Sequence, residues 1–219
     1  MKCFTHAAFV CLAFACSIAY GQSYTPPPVQ RTDIVIKRFA EINHYQPRLV
    51  DNAFSERLFQ DFIDNLDPDK CFFTAPEIKE LSVYKQLLDE ELNGKKQEFL
   101  NFITVVYKKS LQRTDSIIEK VTEKPFDFTL NESFNLIKDS LNHAENVTQL
   151  YRHWYKYCKY RSLQIIAEKK STKAAPSADE LKAWEEDARK KVRATEKKLV
   201  GRILNDKKGF EAYMNYLYL

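Results

Sequence analysis

The 219 residues carry 34 lysines and arginines against 30 aspartates and glutamates, a formal charge of +4. So balanced a surface lacks the electrostatic footprint of a nucleic-acid binder. Glycine occurs only four times, no run alternates apolar and polar residues for long, and β-branched clusters are few; this excludes a strand-rich fold and predicts an all-α protein, an irregular bundle of about seven helices.

Residues 1–21 read as a secretory signal peptide. Met1-Lys2 supplies a positive start, Phe9 to Ala19 is an apolar run, and Ala19-Tyr20-Gly21 offers small residues for cleavage before Gln22. The run is shorter than the ~20 residues a membrane-spanning helix needs, so no stable span is expected once the signal is removed. A lipoprotein anchored through Cys16 is the lesser alternative, because Ala13 stands where a larger aliphatic residue is usual. The implied compartment is a bacterial periplasm, reached with a mature charge of +3 after loss of Lys2. Cys3, Cys11 and Cys16 leave with the signal. Cys71 and Cys158 remain, either as a disulfide or as two buried, inert thiols; their spacing resembles no metal site.

A proline-containing lead over residues 22–31 precedes the helical domain, 32–219. A first helix is expected from about Thr32 to Asn43. The second runs from about Asn52 to Leu66, capped by Asp51 or Asn52, and its residues Phe54, Leu58, Phe59, Phe62, Ile63 and Leu66 form one apolar stripe. Leu66-Asp67-Pro68 ends it, and the aromatic pair Phe72-Phe73 follows. Thr74, with Pro76 in the first turn and Glu77 three residues after the cap, then marks a new helix start. That third helix, Pro76 to Leu92, closes at Asn93-Gly94, where glycine suits a left-handed cap.

The fourth helix carries Phe99, Phe102, Ile103, Val106, Tyr107 and Leu111 at helical spacing, continues through Ile118 to Val121, and stops at Lys124-Pro125. Phe126-Asp127-Phe128 makes a short corner before a fifth helix, Asn131 to His143. The sixth, Val147 to Lys170, is dense in aromatics and bases. A low-complexity break over 170–178 separates it from a charged helix that starts at Ser177 or Asp179 and reaches about Asn205. The terminal Phe210 to Leu219 is too apolar for a free tail, and either packs back or forms part of a junction.

Nothing here assembles an active site. There is no Gly-x-Ser-x-Gly turn, no His-Glu-x-x-His pair and no glycine-rich phosphate loop, so no catalytic, cofactor-binding or metal-binding residue is assigned and no cofactor is expected. His44, His143 and His153 read as packing or surface groups, and Glu90-Glu91 and Glu185-Glu186 as solvated helical faces. In the sixth helix Leu150, Trp154, Cys158 and Ile165 lie near one face with Tyr157 and Tyr160 beside them. That pattern favours core over a stacking platform for a ligand. Asn131-Glu132-Ser133 and Asn146-Val147-Thr148 fit the N-glycosylation pattern but are read as chance in a bacterial protein.

Taken together, His44-Tyr45, Ser55-x-x-x-Phe59, Leu66-Asp67-Pro68, Phe72-Phe73 and Ile78 resemble the opening of the tail-specific protease family, also called carboxy-terminal processing peptidases. Phe126-Asp127-Phe128 and the Trp154 helix fall where that family has a Phe-containing corner and a Trp-bearing helix; the fifth helix lacks the Asp-Arg and nearby tryptophan of the family pattern. The resemblance implies a helical N-terminal domain that, in the family, precedes a PDZ module and a peptidase domain with a serine nucleophile and a lysine base. None of those catalytic residues maps onto this chain. The expected role is therefore non-catalytic: scaffolding or docking the PDZ and peptidase modules or an adaptor. The alternative is a free-standing periplasmic domain that binds a protein such as an envelope substrate. Protein partners are expected, and neither nucleic acid nor metal.

Overall fold

The computed structural model describes residues 49–135, 141–172 and 175–218, with short pieces at 36–37, 41–42 and 46–47. The expected signal peptide, the lead and His44-Tyr45 lie outside the described residues, as does most of the first expected helix, of which 36–37 and 41–42 are helical. The described residues form seven α-helices and no strand, so the all-α expectation holds.

Helix α1 spans Asn52–Leu66, with Asp51 as its cap: the Asp51 carboxylate accepts from Phe54 N at 2.9 Å. Its stripe turns Phe59, Phe62, Ile63 and Leu66 into the core. Helix α2 covers only Ala75–Leu81. The single third helix expected through Leu92 is instead two helices separated by a 3₁₀ turn at Ser82–Tyr84, the second being α3, Leu88–Leu92. Two hydroxyls explain the break. Ser82 Oγ donates to Lys79 O at 2.7 Å, drawing the chain into the tighter turn as serines do when they compete for backbone groups. The buried Ser55 Oγ of α1 then accepts from Asp89 N at 2.8 Å and donates to Asp89 Oδ1 at 2.7 Å, capping α3 from another element. Gly94 takes φ of 91° just after α3, the left-handed turn its position called for.

Helix α4, Glu98–Val121, is the central rod, buried along Phe99, Ile103, Tyr107, Leu111, Thr114 and Ile118. Helices α5 (Val147–Thr172) and α6 (Ala178–Leu204) pack on it and on each other. Ser177 caps α6: Ser177 Oγ accepts from Glu180 N at 3.3 Å and Glu180 Oε2 accepts from Ser177 N at 2.9 Å. The last carbonyls of α4 are covered by α6, with Arg189 Nη1 donating to Thr122 O and Glu123 O at 2.9 and 3.0 Å. Arg193 Nη2 also donates to Thr122 O.

The expected fifth helix is corrected in part. Residues 131–135 and 141–143 are not helical, and 136–140 lie outside the described residues. The segment is held by other bonds at both ends. Asp127 Oδ1 accepts from Thr129 N and its hydroxyl at 2.9 and 2.6 Å, closing a local turn, while Glu132 pairs with Lys159 of α5 at 2.5 Å. At the far end Ala144 O accepts from Ala75 N at 2.8 Å, and Ala144 bridges to Thr74.

Helix α7, Phe210–Tyr218, packs back onto the bundle and buries Phe210, Met214 and Tyr218. The Tyr218 ring meets Phe62 and Phe99 at 5.6 and 6.1 Å, and its hydroxyl donates to Glu91 Oε2 at 3.0 Å. Of the two outcomes open for this apolar segment, folding back is the one observed.

Candidate functional site

The corner between α1 and α2 is built around one buried carboxylate. After Leu66 the chain leaves the helix at Asp67, which is fully buried. Pro68 cannot continue an α-helical ladder, and Lys70 takes a positive φ of 51°. The turn so formed points three successive amides at one carboxylate: Cys71 N reaches Asp67 Oδ1 at 2.7 Å, and Phe72 N and Phe73 N reach Oδ2 at 3.0 and 2.9 Å. Charge-assisted bonds of this kind are about twice as strong as neutral ones.

The carbonyls of the corner are answered from outside it. Tyr107 Oη donates to Leu66 O at 3.0 Å, Trp154 Nε1 to Cys71 O at 2.9 Å, and Arg113 Nη2 to Phe72 O at 2.7 Å. Arg113 also forks onto Glu77 at 2.6 and 2.9 Å, and Glu77 Oε2 accepts from Thr74 N and Oγ1 at 2.8 and 2.9 Å. Burial pushes the Glu77 carboxyl upward, but Arg113 and Thr74 outweigh it and hold it below its ordinary range. Phe73 completes the plug against Tyr107, with ring centroids 5.4 Å apart.

His143 sits behind this turn, its Nε2 3.7 Å from Asp67 Oδ2. Burial keeps its pKa below the ordinary value despite the pull of Asp67. His153, from α5, is lowered by burial as well and lies against Phe134 at 5.4 Å. Cys71 and Cys158 are both free and buried. Burial raises both thiols, Cys158 to about 12, so neither has the thiolate character of a nucleophile. Trp154 is core, as its helical position predicted, whereas Tyr151 is partly exposed. Among the described residues no group of three His, Cys, Asp or Glu could hold a metal ion.

The acidic pairs divide. Glu90 is half-buried and Glu186 exposed, and they pair with Lys95 and Lys190 near the surface, as a solvated face should. Glu91 and Glu185 do not: Glu91 is buried, with Oε1 accepting from Phe99 N at 2.7 Å, and Glu185 Oε1 accepts from Phe126 N at 3.1 Å and Arg189 Nε at 3.0 Å. A third buried acid, Glu196, drew no notice in the sequence. Its signal was present, because Ala188, Val192, Glu196 and Val200 are spaced by four and the other three are apolar and buried. An acid inside such a ladder faces the core.

Glu196 opens onto a cavity of about 530 Å³ between the corner, α5, α6 and α7, walled chiefly by Trp154, Tyr157, Phe134, Tyr107 and Tyr213. Among the described residues only the Tyr157 hydroxyl donates to the carboxylate, at 3.2 Å, and burial raises the Glu196 pKa. Among the described residues the site thus combines aromatic walls with one buried acid and no nucleophile with a positioned base.

A family model described as the tail specific protease N-terminal domain matches residues 35–218. The chain belongs to this family. In this tail specific protease N-terminal domain the motifs that carried the resemblance have structural roles: Leu66-Asp67-Pro68 builds the turn, Phe72-Phe73 plugs it, and Ser55 caps α3. No described helix is long and apolar enough to cross a membrane.

Proposed function

We propose that this chain is the non-catalytic helical module of a periplasmic serine-type carboxy-terminal processing protease, where it scaffolds or docks the PDZ and peptidase modules or an adaptor. The family match carries the proposal, since it is to the N-terminal domain and extends along nearly the whole helical region. Two features support it. The Asp67 carboxylate and the carbonyls of Leu66, Cys71 and Phe72 are spent on internal bonds, as befits a rigid frame, and α7 presents Tyr216 outward at 80% exposure, an aromatic of the kind that anchors protein interfaces.

The test is to mix the purified chain with a separately produced PDZ and peptidase region from a full-length relative and follow association by sedimentation velocity. Association weakened by Tyr216→Ala is expected, together with no peptide cleavage by the chain alone. Serine-dependent cleavage by the chain alone would refute the non-catalytic role, and failure to associate would refute docking. A second reading, a free-standing periplasmic protein-binding domain, is favoured by the inward packing of α7 on Glu91, Phe62 and Phe99. It predicts capture of an envelope protein without any peptidase region present.

A further inference from the structure

We propose that the cavity facing Glu196 binds an alkylammonium group, either a free amine or the side chain of a peptide lysine, with the ammonium at Glu196 and the alkyl chain against the aromatic wall of Trp154, Tyr157 and Tyr213. The volume of about 530 Å³ lies within the range that encloses a small organic ligand, about 300–1,000 Å³. The lining is unusual in kind rather than in size. Aromatic faces attract cations through their quadrupoles, more strongly where water is excluded, and here they converge with a carboxylate that is 7% exposed and, among the described residues, accepts from one neutral donor at 3.2 Å. A buried acid so sparsely compensated is costly in an isolated domain; a cation in the cavity removes that cost.

The acids that line the cavity, Asp69 and Glu196, agree in sign. Asp69 lines the mouth. The cation near enough to act on Glu196 is Arg161, whose Nη1 donates to Gln164 Oε1 at 2.9 Å. His153, also in the wall, is held below its ordinary titration by burial and so adds no positive charge at neutral pH. The Cys71 thiol in the wall and Cys158 behind it are both raised and neutral. The cavity is therefore acidic above the titration of Glu196, which burial places higher than an ordinary glutamate. Binding of an amine should weaken as pH falls through that titration.

The experiment uses the whole chain with Trp184→Phe, so that Trp154 is the reporting indole, and measures affinity for hexylammonium and for its uncharged counterpart hexan-1-ol by fluorescence and calorimetry. The amine should bind at least about tenfold more tightly than the alcohol, a difference of about 1.4 kcal/mol. Glu196→Gln should abolish that preference while leaving alcohol binding unchanged, which shows the cavity intact. A lysine-containing peptide against its norleucine version distinguishes a protein-borne ammonium from a free one. Equal affinity for amine and alcohol, an unchanged amine affinity in E196Q, or no binding of either would overturn the proposal. If E196Q does not fold, the amine-to-alcohol ratio of the Glu196 protein and its fall at lower pH decide the question alone. None of these results depends on whether the chain docks a peptidase.

Discussion

Replacing Asp67 by alanine tests the corner most directly. The substitution removes one acceptor group and strands the amides of Cys71, Phe72 and Phe73, which now bond to it at 2.7, 3.0 and 2.9 Å. All three residues are buried. A buried donor left without a partner costs about 1–3 kcal/mol, so full desolvation of three would cost roughly 3–9 kcal/mol. Pro68 and Asp69 are exposed beside the turn, which lets water reach part of it, and the expected loss is therefore about 4 kcal/mol, at the upper end for a single substitution. Against a total stability of about 5–15 kcal/mol, that is a large share, and it corresponds to a fall in Tm of roughly 8–16 °C for a chain of this size. Asp67→Asn, which keeps the shape but only one acceptor oxygen, should fall between. The assay is urea unfolding followed by far-UV circular dichroism with linear extrapolation. Asp64→Asn is the control, since the Asp64 carboxylate pairs with Lys70 at a half-exposed position and should cost under about 1 kcal/mol. A D67A loss below about 1 kcal/mol, or no larger than that of D64N, would refute the view that Asp67 holds the turn.

Three further outcomes follow from particular contacts. Tyr218→Phe removes the donor to Glu91 Oε2 and should cost about 1–2 kcal/mol, with protease nicking near α7 increasing in parallel; unchanged unfolding and unchanged nicking would mean that α7 is held by its apolar face alone. His143 and His153 titrate below the ordinary 6.5 because burial disfavours the imidazolium, so the stability they contribute is full above about pH 6.5 and is lost as pH falls through their folded values. Glu91 and Glu196, raised by burial from 4.5, act oppositely, contributing fully below that value and losing the contribution as pH rises through the raised ones. Urea midpoints of the His143→Asn, His153→Asn double variant should lose less on acidification than those of the unsubstituted chain, the glutamates being common to both; an identical slope would refute the assignment. Finally, Cys71 and Cys158 should resist a thiol reagent in the native state and react together on unfolding, whereas rapid native labelling would contradict their burial.

Much of the candidate site could be read from local pattern because its first causes are local. A proline after Leu66-Asp67 ends a helix wherever it occurs, an apolar stripe at helical spacing chooses its own buried face, and Thr74 with Glu77 marks a start three residues apart. At its described ends, 131–135 and 141–143, the expected fifth helix is not formed, for the opposite reason. Residues 131–135 hold one good helix former, Glu132, among weaker ones, and tertiary partners claim the segment: Glu132 is drawn to Lys159, Phe134 to the face of α5, and Ala144 to the amide of Ala75. Those partners lie between 23 and 69 positions away and leave no periodic trace. Glu196 was legible in principle, as an acid placed between the buried Val192 and Val200 one helical turn away on either side, whereas Glu91 sits at the end of a short helix and owes its burial to Phe99 and Tyr218, remote partners that leave no local pattern.

By itself the amino-acid sequence determined the class of the protein, the family and the position of the corner, because helix stops, caps and stripes act over three or four residues. Only the tertiary structure decided how that corner is completed. Tyr107, Arg113 and Trp154 supply donors to its carbonyls from two helices remote in the chain, and α6 brings Glu196 against the aromatic wall of α5. Hydrogen bonds are satisfied by whatever atom is within about 3 Å, and only the packing of the long helices sets which atoms those are.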